Sequence, residues 1–140
     1  MRWCVDNGLR AVMIPTLWYG NDPYHNVKYD PFWEVCEDLG VIVHFHSGPA
    51  PHAEYFGAGF PVEDKRDELP GAMGIYVSEV MWWLYRPLTF MIWGGVFERF
   101  PRLKVMIVEG GTMFMLPPWL RLMDFHYSEG QISAKLGNFR

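Results

Sequence analysis

Apolar and polar residues alternate along this chain in blocks whose period changes from one element to the next. Phe32, Val35, Cys36 and Leu39 recur at i, i+3, i+4 and i+7, the spacing of one helix face, while Glu34, Glu37 and Asp38 fall off it. Asp30 stands where a side chain can cap free amides, and Pro31 suits the first helical position. Gly40 closes the helix, and Val41 to His46 follows at once as a strand, broken by Ser47-Gly48-Pro49. Upstream, residues 2–7 read as the last turns of a helix ended by Gly8. A strand over 9–14 comes next. Its run Ala11-Val12-Met13-Ile14 lacks alternation, which predicts burial on both faces, as in a parallel sheet. Pro15 stops this strand, and Gly20-Asn21-Asp22-Pro23 marks a turn-rich loop.

Residues 47–71 read as a long loop whose sign-balanced run Glu63 to Glu68 is a solvated face. From about Ala72 to Arg99 the chain reads as helix, interrupted near Pro87 and apolar on several sides, as expected of an element packed between layers. Phe100-Pro101 ends it. A third apolar strand covers 104–109, running into Glu109-Gly110-Gly111. Thr112 can cap a last helix reaching about Tyr127, with Pro117-Pro118 as an alternative start, and the polar tail from Ser128 carries no predicted element. Helix and strand alternate throughout. That order predicts an α/β fold with a parallel sheet, in a single domain over residues 1–140.

Composition narrows the classes. The chain has 140 residues, near the modal domain size. With 12 Lys and Arg against 16 Asp and Glu its net charge is −4, which speaks against a nucleic-acid surface. A chain that is 50% hydrophobic and 17% aromatic is not disordered. The N-terminus lacks a signal-peptide core, and the most apolar region is interrupted by Arg86 and Pro87. Cys4 and Cys36 form no C-x-x-C and read as reduced thiols. These features lead us to expect a cytoplasmic protein that takes a small-molecule substrate, without membrane or nucleic-acid partners.

In parallel α/β folds, ligands bind at the carboxyl ends of the strands. Here those ends carry Pro15-Thr16, His46-Ser47-Gly48 and Glu109-Gly110-Gly111. His44 and His46 are two apart on a strand and share a face. His46 lies at the mouth, and His44 lies one layer (~6.6 Å) deeper at ~3.3 Å per residue. Each is a candidate for ligand binding, against the ordinary role of a hydrogen-bonded core histidine. A carboxylate after an apolar strand needs a cation, a donor network or water, so Glu109 is either a structural acid or a group that moves protons or touches substrate. Gly110-Gly111 allows close backbone approach to a ligand, or simply a turn. His25 and His52 lie in loops, and His126 lies near the end of the last helix. Trp18, Tyr19 and Tyr24 could wall an aromatic substrate or pack the core.

Three segments carry a family resemblance. Val43-His44-Phe45-His46-Ser47-Gly48, then Gly95-Val96-Phe97-Glu98-Arg99-Phe100-Pro101-Arg102-Leu103-Lys104-Val105, then Val108-Glu109-Gly110-Gly111, resemble the amidohydrolase-related family. This is the metal-dependent group that includes aminocarboxymuconate-semialdehyde decarboxylase and related decarboxylases and hydrolases. The likeness runs over residues 1–127 and includes Trp119 to Met123. It implies a distorted (β/α)₈ barrel, of which the strands at 9–14, 41–46 and 104–109 would be the fourth, fifth and sixth. A whole barrel takes ~250 residues, so the chain is expected to be an internal portion of about three βα units. The family's first-strand H-x-H pair and last-strand aspartate are not among these residues.

The resemblance also implies roles. His46 matches the family's metal-binding histidine on the fifth strand, and the metal is most often zinc. Glu109 stands where the decarboxylases carry a catalytic histidine, a departure that ranks hydrolysis of C–N or C–O bonds ahead of decarboxylation of an aromatic or unsaturated acid. We therefore expect a metal-dependent hydrolase with His46 as metal ligand, Glu109 as the catalytic proton-transfer group, and His44 and Trp18 against substrate. The alternative from another class is a non-catalytic module that self-associates through open sheet edges.

Overall fold

The computed structural model describes residues 1–16, 20, 22–47 and 71–132. Their elements follow in the order α1 (Arg2–Asp6), β1 (Ala11–Met13), a short 3₁₀ turn (Val27–Tyr29), α2 (Asp30–Leu39), β2 (Ile42–His46), α3 (Ala72–Trp93), α4 (Val96–Arg99), β3 (Lys104–Val108) and α5 (Thr112–Ile132). The chain divides into two compact units, Met1–Gly110, which contains the sheet, and Gly111–Arg140, which contains α5.

The sheet is parallel with strand order β1-β2-β3. Sequential order with no reversal is the order of neighbouring strands in a barrel, and each half of a doubly wound sheet shares it. Val12, Val43 and Val105 stand level across the three strands, as do Met13, His44 and Met106. β1 is shorter than the predicted 9–14, yet its pairing continues past both ends. The Ile42 amide donates to the Arg10 carbonyl at 2.9 Å, and the Ile14 amide to the His44 carbonyl at 3.1 Å.

Two helices end as their glycines dictate. Gly8 and Gly40 have φ of 85° and 64°, and each is followed by an amide reaching back five residues, Leu9 to Cys4 and Val41 to Cys36, both at 2.9 Å. This closure satisfies the last free carbonyls and needs a left-handed residue that glycine adopts without Cβ strain. The chain then enters the next strand directly.

The core lies on one side of the sheet. Val41, Val43 and Phe45 are buried, and the Phe45 ring lies 5.9 Å from Tyr24, which meets Trp33 of α2 at 6.0 Å. Tyr24 also donates to the Pro15 carbonyl at 2.7 Å. On α2 the fully buried residues are Trp33 and Cys36. Cys36 belongs to the expected stripe, whose other members Phe32, Val35 and Leu39 are half-buried, and Trp33 joins them as a buried residue outside it.

Four expectations are corrected. β1 is not buried on both faces, since Ala11 and Met13 are exposed and Val12 is half-buried. Its outward side belongs to the face that also carries Ile42, His44, Lys104 and Met106. Asp30 does not cap α2. It lies inside the first turn, Tyr29 is the capping position, and the Asp30 carboxylate instead receives Arg99 at 2.9 and 3.0 Å. A bidentate guanidinium competes well against free amides for a carboxylate. The helix after the long loop does not break at Pro87. It runs through that residue to Trp93 because Leu84, Tyr85, Pro87 and Met91 are all buried, and it gives way at Gly94-Gly95. α5 runs from Thr112 through Pro117-Pro118 to Ile132, beyond the predicted end, with the Gly111 carbonyl accepting from Phe114 and Met115 at 2.9 Å.

The segment between α3 and β3 now has a physical role. Arg99 grips Asp30 and donates to the Gly94 carbonyl at 2.8 Å, while the Arg102 amide donates to Glu37 at 2.6 Å. Two arginines thus fasten this connector to α2 before Lys104 enters the sheet.

Candidate active site

β2 and β3 are neighbours, with His46 level with Val108. Glu109, the next residue, therefore emerges beside His46 at the carboxyl end of the sheet. His46 Nε2 lies 3.5 Å from Glu109 Oε2. The other ring nitrogen, Nδ1, lies 2.8 Å from the Ser47 carbonyl. A carbonyl only accepts, so Nδ1 carries the proton in that contact and Nε2 is left with its lone pair when the ring is neutral. Ser47 Oγ donates to the same Glu109 Oε2 at 2.9 Å. The pair is open to solvent, with His46 and Glu109 side chains 37% and 64% exposed.

Among the described residues Glu109 is the only non-glycine with positive φ, at 58°. That conformation costs roughly 1–2 kcal/mol for an L-residue with a Cβ, and strain of this kind collects at functional sites. It turns the chain out of the strand and aims the carboxylate across to β2. The turn is braced from behind. Tyr85 of α3 donates to the Gly110 carbonyl at 2.8 Å in a buried contact. Gly110 itself is buried, and a Cβ there would collide with the Ile107 side chain. Packing alone accounts for this glycine.

The remaining candidates separate. His44 is half-buried on the His46 face, and its Nδ1 is buried without a hydrogen-bond partner among the described residues. His25 is not at the mouth but packs its ring 5.3 Å from Phe90, against Gly94. Tyr24 is core, and burial drives its phenol well above the usual range. His126 is exposed on α5. Trp18, Tyr19 and His52 lie outside the described residues. Ser47 and Tyr85 were not singled out by the sequence reading. Ser47 was legible as a hydroxyl next to the mouth histidine, whereas nothing local tied Tyr85 to Gly110.

Among the described residues no group of three or more His, Cys, Asp or Glu side chains could hold a metal ion. No described helix is long and apolar enough to cross a membrane.

Comparison with known proteins agrees with this architecture. The amidohydrolase family profile matches residues 1–137, and the chain belongs to that family. A solved amidohydrolase from Mycobacterium avium subsp. paratuberculosis K-10 matches with a TM-score of 0.64 and 20% identity, over 93% of this chain and 32% of that protein. At that identity the likeness establishes the fold, a portion of a (β/α)₈ barrel. The chain spans about a third of that relative's length. No curated protein matches the sequence. Family membership supports hydrolase-type chemistry in general, and the family generally uses a divalent metal.

Proposed function

We propose that this chain carries part of the active site of a metal-dependent hydrolase acting on C–N or C–O bonds of a small-molecule substrate, with His46 as a metal ligand and Glu109 as the proton-transfer group. The observation that carries this reading is the approach of His46 and Glu109 to 3.5 Å at the carboxyl ends of adjacent parallel strands. A divalent metal bound there would supply Lewis acidity toward water and a substrate carbonyl.

The donor suits zinc in kind, an imidazole nitrogen with a carboxylate beside it. The imidazole is oriented as a ligand needs, with its far nitrogen donating to a carbonyl. It falls short in number, because a catalytic zinc takes ~3 protein ligands. His46 therefore fits as one member of a metal's shell and does not complete one. Within that shell His46 would bind through Nε2. Glu109, exposed and ionisable, would accept a proton from water and return it to the leaving group. The buried Nδ1 of His44, unpartnered among the described residues and on the same face one layer down, supports a contact to substrate. Trp18 is proposed as a further wall of that substrate site, and a cytoplasmic location suits such a metabolic role.

The test is zinc binding by the purified chain, measured calorimetrically, beside His46→Ala and Glu109→Gln. His46→Ala is expected to weaken zinc at least tenfold. The unaltered chain, with its incomplete shell, is expected to show weak or no zinc-dependent hydrolysis of activated esters and amides. Unchanged affinity in His46→Ala removes this residue as a ligand, and robust turnover with stoichiometric zinc contradicts the incomplete shell.

A further inference from the structure

We propose that Ser47 is the positioning residue of this site, setting both members of the reactive pair through two different atoms. This rests on the reading of His46 and Glu109 as that pair.

Its carbonyl accepts a hydrogen bond from His46 Nδ1 at 2.8 Å, and its hydroxyl donates to Glu109 Oε2 at 2.9 Å. The first contact fixes the tautomer, so that Nε2 presents its lone pair to the mouth. The second spans the two strand ends and holds one carboxylate oxygen, leaving Oε1 with no hydrogen bond among the described residues. A carboxylate on a two-methylene stem, 64% exposed, otherwise samples several rotamers. The backbone does not relieve this, since Glu109 is held at φ 58° and its side chain leaves from a strained turn. Tyr85 and Ile107 brace the turn behind it but touch Gly110, not the carboxylate. The hydroxyl of Ser47 is the one hydrogen-bond donor that the described residues direct at the acid. Ser47 touches no reacting atom in this arrangement. It acts by holding Oε2 so that Oε1 is the oxygen free to exchange a proton.

The two atoms make separable predictions. Ser47→Ala removes the hydroxyl and keeps the carbonyl, and Ser47→Thr keeps both. The readout is NMR of the metal-free chain at about pH 8, above the ordinary histidine value of ~6.5. In the unaltered chain, the His46 ring nitrogens are expected to show the Nδ1–H tautomer, and the Glu109 β-protons two unequal couplings of a fixed rotamer. In Ser47→Ala, the His46 pattern is expected to persist while the Glu109 couplings average to a single value. Ser47→Thr is expected to restore the unequal pair. A merely structural serine would disturb both residues together, or neither. Unequal Glu109 couplings surviving in Ser47→Ala, averaged couplings in Ser47→Thr, or a lost His46 tautomer in Ser47→Ala each overturn the proposal. If Ser47→Ala does not fold, Ser47→Cys preserves the volume, offers only a weak donor, and is read in the same way. None of these readouts involves zinc, so failure of the metal-ligand reading and failure of this one are distinguishable.

Discussion

Cutting the bridge between Asp30 and Arg99 tests whether the connector from α3 to β3 is fastened to α2 by charge. The contact is bidentate, at 2.9 and 3.0 Å, and its side chains are 26% and 34% exposed. Unit charges ~4 Å apart attract by ~4 kcal/mol at an effective dielectric of ~20. Exposed pairs return only ~0.2–1 kcal/mol once water and side-chain entropy are counted. A fork-to-fork pair that is two-thirds covered falls between, and a coupling of about 1.5 kcal/mol is expected. Arg99→Met also frees the Gly94 carbonyl, so alone it should cost about 2–3 kcal/mol. Asp30→Asn forfeits, besides the pair, ~0.5 kcal/mol of charge–dipole stabilisation in the first turn of α2. The assay is a double-mutant cycle by urea unfolding. With a slope of ~2 kcal/mol per molar, the coupling corresponds to a midpoint difference of about 0.75 M. Salt at ~1 M should shrink it, because screening then acts over ~3 Å. Arg99→Lys should recover less than half, since an ammonium lacks the planar fork. A coupling below ~0.3 kcal/mol, inside the additivity error of unrelated sites, would refute the argument.

Further outcomes follow from the one-sided core. Phe45→Ala, at a fully buried position, is expected to cost ~3–5 kcal/mol, whereas Met106→Ser, at an exposed position on the other face of the same sheet, should change stability by less than ~0.5 kcal/mol, both read by urea unfolding. Comparable losses would show that both faces are packed. Burial pushes the Cys36 thiol up to about 11. Between the ordinary thiol value of ~8.5 and that point the unfolded chain has released a proton that the folded chain retains, so stability is full below ~8.5 and falls as pH rises toward 11. The Tyr24 phenol, also raised by burial, adds loss in the same direction at higher pH. Unfolding curves across this range should show a decline that Cys36→Ala reduces, and a flat profile would contradict the burial argument.

The features legible along the chain are local. The glycines at 8 and 40, the unbroken apolar run into His46, and the alternation of helix with strand depend on backbone preference and period, which a few consecutive residues express. The placement of His46 and Glu109 at strand ends was equally legible, since each closes such a run. Tertiary structure decided which groups meet. Asp30 was a cap by position, until an arginine 69 residues away offered a stronger partner. The Ser47 hydroxyl and the Glu109 carboxylate are 62 residues apart and join only because β2 and β3 pair in one register. Pro87 reads as a break along the chain, but burial of its neighbours outweighs one missing amide. Local energies of about 1 kcal/mol set the elements, and larger non-local terms, burial and bidentate charge, set their partners.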